Sequence, residues 1–301
     1  MDSIKHLPVK KNVYDIVTDK IISLLEKGVI PWKQPWMEAG VPQNLISKRP
    51  YRGVNLLLLG SLGYERNLYL TYNQVRQLNG IIRPLEHSHI VVFYTIKKNK
   101  KPDGTDEQEE KTRWLLRYYR VFNVSQCELP KSFVIPTSER KNDPIAACEK
   151  IIEGCPKPLV IIHKESGAYY SPKLDYINMP AKGNFINSES YYDALFHEMN
   201  HWTGHSSRLN RPGIAGSNRT DESYSYEELI AQLGASFLSN HAGILPPVID
   251  NSAAYIAGWL ETLRSDKRMI LLAGGAAQKA VDYILNQQTV DFEIHHGGEK
   301  R

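Results

Sequence analysis

Apolar residues recur along this chain with two periods, one helical and one of alternating strand type, and the changes between them mark its elements. In residues 13–27 (VYDIVTDKIISLLEK), Val13, Ile16, Val17, Ile21, Leu24 and Leu25 fall at helical spacing, and Gly28 stands where a helix stop is expected. Residues 29–55 cannot continue that helix, because prolines and glycines interrupt them repeatedly. The run NLLLLGSL at 55–62 reads as buried and residues 70–78 as a short helix capped by Thr71. IVVFYTI (90–96) and LLRYYRVFNV (115–124) read as two strands, and the charged stretch 97–113, with its Pro-Asp-Gly turn, as the hairpin tip between them.

Residues 128–142 mix prolines with polar side chains and keep no period, so the domain boundary is placed there. Beyond it, Asp143 caps a helix running to Glu153, 159–163 is a strand and 169–186 is irregular. A helix spans the 190s and ends near Gly204. Residues 208–220 form a loop, and 225–240, 256–264 and 270–285 three further helices. The tail from residue 295 is expected to be unstructured. The pattern predicts an α+β protein of two domains, residues 1–130 and 143–301, joined by a linker at 131–142.

Composition narrows the setting. A chain of 301 residues with 42% hydrophobic content can bury real cores, and no apolar run approaches the ~20 residues of a membrane span. The opening MDSIKHLPVKKN lacks the apolar block of a secretory signal, so a soluble cytoplasmic protein without a membrane partner is expected. Three cysteines without CxxC spacing fit a reducing compartment and no catalytic role. Charge is uneven. Residues 1–130 carry 20 Lys and Arg against 13 Asp and Glu, whereas 131–301 carry 17 against 20, so a polyanion is expected to meet the first half.

The irregular segment supplies candidate residues for such a contact. Trp32 and Trp36 bracket Lys33, and Lys48, Arg49, Tyr51 and Arg52 follow closely. Rings interleaved with cations suit a single-stranded nucleic acid, which stacks its bases on aromatic faces at ~1–3 kcal/mol each and presents phosphates to the charges. Tryptophans in proline-rich turns also pack as local plugs, so at least one of the two is expected to be structural.

The sharpest motif is HEMNH. His197 and His201 lie four apart, on one face of a helix, and Glu198 follows the first histidine. A catalytic zinc takes three protein ligands and keeps a fourth position for water, whose proton a neighbouring glutamate can accept and pass to a leaving amine. Tyr192, Leu195, Phe196, Met199 and Trp202 give this helix a packed apolar face. The third ligand must come from elsewhere. Glu228 is favoured because Gln232 lies one turn on as a supporting group, with Glu227 next. His205 ranks below both, since Gly204 separates it from the helix; Asp193 is a possible ring support, and Tyr224 and Tyr226 are minor candidates for oxyanion stabilisation.

HEMNHWTGHSSRLNR followed by EELIAQLGASFL, with WKQPW, KRPYRGVN and LTYNQV upstream, resembles the ArdC-type antirestriction proteins of conjugative plasmids over nearly the whole chain. The resemblance implies an N-terminal single-stranded-DNA-binding domain joined to a C-terminal zincin-like metallopeptidase domain, protecting incoming plasmid DNA from host restriction. Carried across, His197 and His201 match the metal ligands, Glu198 the catalytic glutamate, and the pair Glu227 and Glu228 the third-ligand position. Gln232 departs from the acidic residue usual in the family, which favours Glu228 indirectly.

The resulting expectation is a protein that binds single-stranded DNA non-specifically and carries a zinc-dependent peptidase site, with manganese or another divalent ion as the alternative metal. Its second partner would be a protein substrate in the host restriction system. The rival is a non-enzymatic coat for single-stranded DNA whose metal site is structural. A nuclease fits less well, because phosphodiester cleavage favours carboxylate-rich metal sites.

Overall fold

The computed structural model describes residues 12–33, 41–97, 113–130, 144–185, 187–215, 221–244 and 253–287. Helix α1 (Val13–Glu26) starts in a capping box, Asn12 with Asp15, and buries Val17, Ile21, Ile22 and Leu25. Leu24 and Leu25 carbonyls receive the amides of Lys27 and Gly28, so the helix stops where the sequence indicates. After β1 (Gln43–Asn44), the leucine run forms a short, fully buried helix α2 (Val54–Gly60). Strand β2 (Leu68–Thr71) leads straight into α3 (Tyr72–Gln77), where Thr71 accepts from the Gln74 amide at 3.3 Å as an N-cap. The predicted short helix is therefore confined to the residues after Thr71, and the apolar residues before it join a sheet.

Between α3 and the hairpin lies β3 (Ile81–Ile82). Strands β4 (His89–Lys97) and β5 (Arg113–Asn123) pair antiparallel from His89↔Val121 to Lys97↔Arg113, as their alternation predicts; the hairpin tip lies outside the described residues. The sheet order is β1-β2-β5-β4, and β6 (Cys127–Glu128) makes a separate ribbon with β3. The stretch chosen as the domain boundary falls largely on residues outside the description, as do Asp143 and the tail.

Helix α4 (Pro144–Glu153) precedes a small sheet of β7 (Ile161–Ile162), β8 (Tyr169–Ser171) and β9 (Tyr176–Asn178), ordered β7-β9-β8. The segment 169–186, expected to be irregular, thus contains two strands, too short to show a period in the sequence. Helix α5 (Ser188–Thr203) is capped by Asn187, whose side chain accepts from the Ser190 amide at 2.8 Å. A short α6 (Pro212–Ala215) interrupts the predicted loop, and α7 (Asp221–Ala242), α8 (Ala253–Ser265) and α9 (Met269–Ile284) complete the chain. Among the described residues no helix is long and apolar enough to cross a membrane.

One apolar core runs through both halves. It joins Val17, Ile21 and Leu25 of α1 and Leu57 of α2 to Phe196 and Trp202 of α5, Leu233 of α7 and Ile270 and Ile284 of α9. Polar contacts reinforce the join: Thr18 Oγ1 donates to the Lys267 carbonyl at 2.6 Å, Lys267 pairs with Asp19 at 2.8 Å, and the Gly53 amide donates to Gln278 at 3.1 Å. Helices α5 and α7 cross so closely that a Cβ at Gly234 would stand 1.9 Å from Asn200 Oδ1. That approach brings the two glutamates of α7 to the histidines of α5.

Candidate metal centre

On α5, His197 and His201 sit one turn apart with their Nε2 atoms 3.1 Å from each other. Across the groove, Glu228 of α7 places Oε2 3.4 Å from His197 Nε2 and Oε1 3.4 Å from His201 Nε2. Donor atoms on a tetrahedron with bonds of ~2.0–2.1 Å stand ~3.3 Å apart, so two imidazoles and a carboxylate at these spacings fit one divalent ion. Among the described residues, His197, His201 and Glu228 are the group whose donor atoms converge in this way, all within 4.8 Å.

The pair Glu227 and Glu228, left open by the sequence, takes two different positions. Glu228 faces the Nε2 atoms. Glu227, 3% exposed, accepts from His201 Nδ1 at 3.3 Å on the opposite side of the ring and from the Arg211 guanidinium at 2.6 and 3.0 Å. Asp193 accepts from Ser239 at 2.7 Å and ties α5 to α7, while His205 bonds Ser207 at 3.0 Å and is not part of the converging group.

Contact between these groups shifts how tightly each holds a proton. Burial disfavours the His201 imidazolium, but hydrogen bonds to Glu227 and Glu228 outweigh it and raise the pKa to about 9. Burial likewise disfavours the Glu228 carboxylate, and its contacts with His197 and His201 reverse that, holding it well below the ordinary carboxylate range. Glu227 is also held low, against burial, by His201 and Arg211.

The site opens into a cavity of about 350 Å³ whose lining includes Glu198, Tyr224 and, from β8, Tyr169 and Tyr170. Glu198, 8% exposed, forms part of that cavity's wall. Strand β8 forms one edge of its sheet, leaving backbone groups on its outer side. Arg208 anchors this edge: it stacks on Trp202 at 4.1 Å, pairs with Asp175 and donates to the Tyr170 hydroxyl at 3.0 Å. Neither Arg208 nor Arg211 emerged from sequence reasoning, because a turn of irregular spacing separates them from the motif they support.

The aromatic and basic segment is divided differently from expectation. Trp32 is 1% exposed and packs edge-on against Trp259 at 5.8 Å, so it is a core residue with no face free for a base. Tyr51 is also buried, edge-on to Tyr69 at 6.1 Å, and Arg52 is committed to Asp282 of α9. The rings of Trp32 and Tyr51 are thus taken up by packing, and the half-buried Arg52 by an ion pair, where the sequence suggested contacts with DNA; the same rings that stack on bases also fill cores, and sequence alone does not separate the uses. Lys48 and Arg49 remain exposed. Trp36 and the side chain of Lys33 lie outside the described residues.

Comparison with known proteins gives a consistent relationship. A family described as the N-terminal domain of anti-restriction factor ArdC matches residues 11–122, and one described as a zincin-like metallopeptidase matches 147–277. An uncharacterised protein, y4eC, of Sinorhizobium fredii (strain NBRC 101917 / NGR234) is 32% identical over 92% of this chain and 93% of its own length. The DNA primase TraC of Escherichia coli is 30% identical over 92% of this chain, which spans only 27% of that protein. The crystal structure of the antirestriction protein ArdC from plasmid R388 superposes with a TM-score of 0.73 in its metal-free form, at 33% identity and covering 92% of this chain and all of that one. Its Mn(II)-bound form gives 0.71 at 35% identity, covering 92% and 98%. With an ArdC-type N-terminal domain and a zincin-like domain in one mixed α and β architecture, the chain belongs to the ArdC-type antirestriction family.

Proposed function

We propose that the protein is a divalent-metal-dependent peptidase-like antirestriction factor that also binds single-stranded DNA, with the convergence of His197, His201 and Glu228 beside Glu198 carrying the enzymatic part. A zinc or manganese ion held there would supply an activated water and polarise a scissile carbonyl. The Mn(II)-bound form of the R388 relative supports a divalent ion. Glu198 is the base placed to receive the proton and return it to the leaving amine. The β8 edge offers an extended peptide main-chain hydrogen bonds next to the site, and host restriction subunits are the proposed substrates. The residue ranges 1–130 and 143–301 are proposed as the two functional modules, cytoplasmic in setting.

Metal binding is the first test. His201→Ala removes a ligand and is expected to weaken Zn(II) or Mn(II) affinity by at least about 100-fold in calorimetric titration, since two remaining ligands are too few for a tight site. Wild-type affinity in the variant would remove the metal reading.

For DNA, support comes from an exposed surface beside α3. Asn44 accepts from the Ile46 and Ser47 amides at 3.1 and 2.9 Å and shapes the loop carrying Lys48 and Arg49. Asn44 and Gln74 also exchange side-chain hydrogen bonds at 2.9 and 3.2 Å, which holds this loop against α3. On α3, Tyr72 is 53% exposed and interacts with the neighbouring Arg76. Cations around an open ring suit phosphates and a stacked base. Fluorescence anisotropy with a thymidine oligomer should show affinity falling steeply with salt, and the double variant Lys48→Ala and Arg49→Ala should flatten that dependence by about 1.4 in log–log slope, the value for two phosphates on a single strand. An unchanged slope would place DNA elsewhere.

A further inference from the structure

Two adjacent carboxylates on one helix could both reach a cation, yet only one is free to do so. Glu227 and Glu228 are consecutive on α7 and diverge by the ~100° helical step, one toward each nitrogen of His201. What distinguishes them is Arg211. Its Nη2 and Nε grip Glu227, Nη1 donates to Thr203 Oγ1 at 2.7 Å, and Nη2 also reaches the Asn200 carbonyl at 2.6 Å. The guanidinium therefore joins the end of α5 to the glutamate of α7 directly behind the histidine.

The backbone makes room for it. A Cβ at Gly204, where α5 ends, would stand 3.0 Å from Arg211 Nη2 and 2.8 Å from Ile214 Cγ1, and one at Gly213 would stand 3.0 Å from Glu227 Cβ. Arg211 and Glu227 are both at least nine-tenths buried. Unpaired, Glu227 would be a buried charge lining the same cavity as the buried Glu198 and the half-buried Glu228, a costly arrangement that movement toward a cation would relieve.

We propose that Arg211 sorts the two glutamates: by pairing with Glu227 it commits that carboxylate to His201 Nδ1, fixes Nε2 toward the ion, and leaves Glu228 as the ligand. Arg211 and Glu227 are positioning residues. This rests on the metal-site reading above and assigns roles within it.

The test replaces the pair together, so that no lone charge is left buried. Arg211→Met with Glu227→Leu removes both the sorting and the Nδ1 acceptor. Arg211→Met with Glu227→Gln removes the charges and keeps an acceptor oxygen. Titration with Co(II), read by visible absorption and by competition with a chromophoric chelator, should show roughly 10- to 100-fold weaker binding and altered ligand-field bands for the leucine pair, with recovery to within a few fold of wild type for the glutamine pair. Melting of the metal-free proteins should be similar, which separates positioning from general instability. Should the leucine pair not fold, Glu227→Asp carries the same test: it keeps the charge and Arg211 but draws the carboxylate back from Nδ1, and the same weakening must appear. Wild-type affinity and spectrum in a folded leucine pair, or in Glu227→Asp, would overturn the proposal while leaving the metal site intact; a wild-type protein that binds no Co(II) would overturn both.

Discussion

Alanine at Gly234 is expected to lower the melting temperature by roughly 6–12 °C. The added carbon would stand 1.9 Å from Asn200 Oδ1 in the contact between α5 and α7, a distance no side chain can tolerate without moving. Overpacking of this kind costs about 3 kcal/mol where neither helix can withdraw, and a domain-sized protein loses about 2–4 °C per kcal/mol. Asn200 is fully buried, donates to the Phe196 carbonyl at 2.8 Å, and cannot swing into solvent. The same substitution in an Asn200→Ala background should be nearly neutral, because the obstructing amide is gone and alanine favours a helix over glycine by about 1 kcal/mol. Thermal melts of the four proteins in this cycle decide the matter: additive effects would mean that the helices are not in contact at this pair. Since α5 carries the histidines and α7 the glutamates, metal affinity should fall with stability in Gly234→Ala and return in the double variant.

Glu198→Gln is expected to reduce peptide hydrolysis by about 10²- to 10⁴-fold while leaving metal affinity within a few fold of wild type. The glutamate lies in the cavity wall beside the ligands but is outside the converging ligand group, so its amide removes a proton acceptor without removing a donor to the ion. Purified restriction subunits incubated with each protein and resolved by mass spectrometry provide the measurement. Identical fragment patterns and rates from both proteins would exclude Glu198 from any hydrolysis. If antirestriction in conjugation assays also survives unchanged, the DNA-coating alternative is the stronger account.

How much of this was legible beforehand differs between residues for physical reasons. The four-residue step from His197 to His201 is a helical period, and the structure places both rings in one cluster because that period is local. Thr71 before Gln74 and Gly28 after Leu25 were legible for the same reason: caps and stops depend on neighbours in sequence. The choice between Glu227 and Glu228 was only partly so. Its geometry depends on the crossing of α5 with α7 and on Arg211, which reaches Glu227 across 16 positions of chain. Trp32 reads in sequence either as a stacking ring beside cations or as a local plug, and its environment is set by Trp259, more than 200 residues later. Burial is a tertiary property, and no local pattern in the proline-rich segment encodes it.

The seam where α1 and the 50s meet α8 and α9 has a consequence for inheritance. Arg52 pairs with Asp282 there, and Thr18 and Asp19 fasten the Lys267 turn. A gene trimmed to encode only the later half would yield helices whose greasy flank lies bare and whose Asp282 has lost its counter-ion. Recombination that separates the halves is therefore penalised before either loses its chemistry, and the whole stretch should pass between genomes, or into a longer polypeptide, as a single cassette.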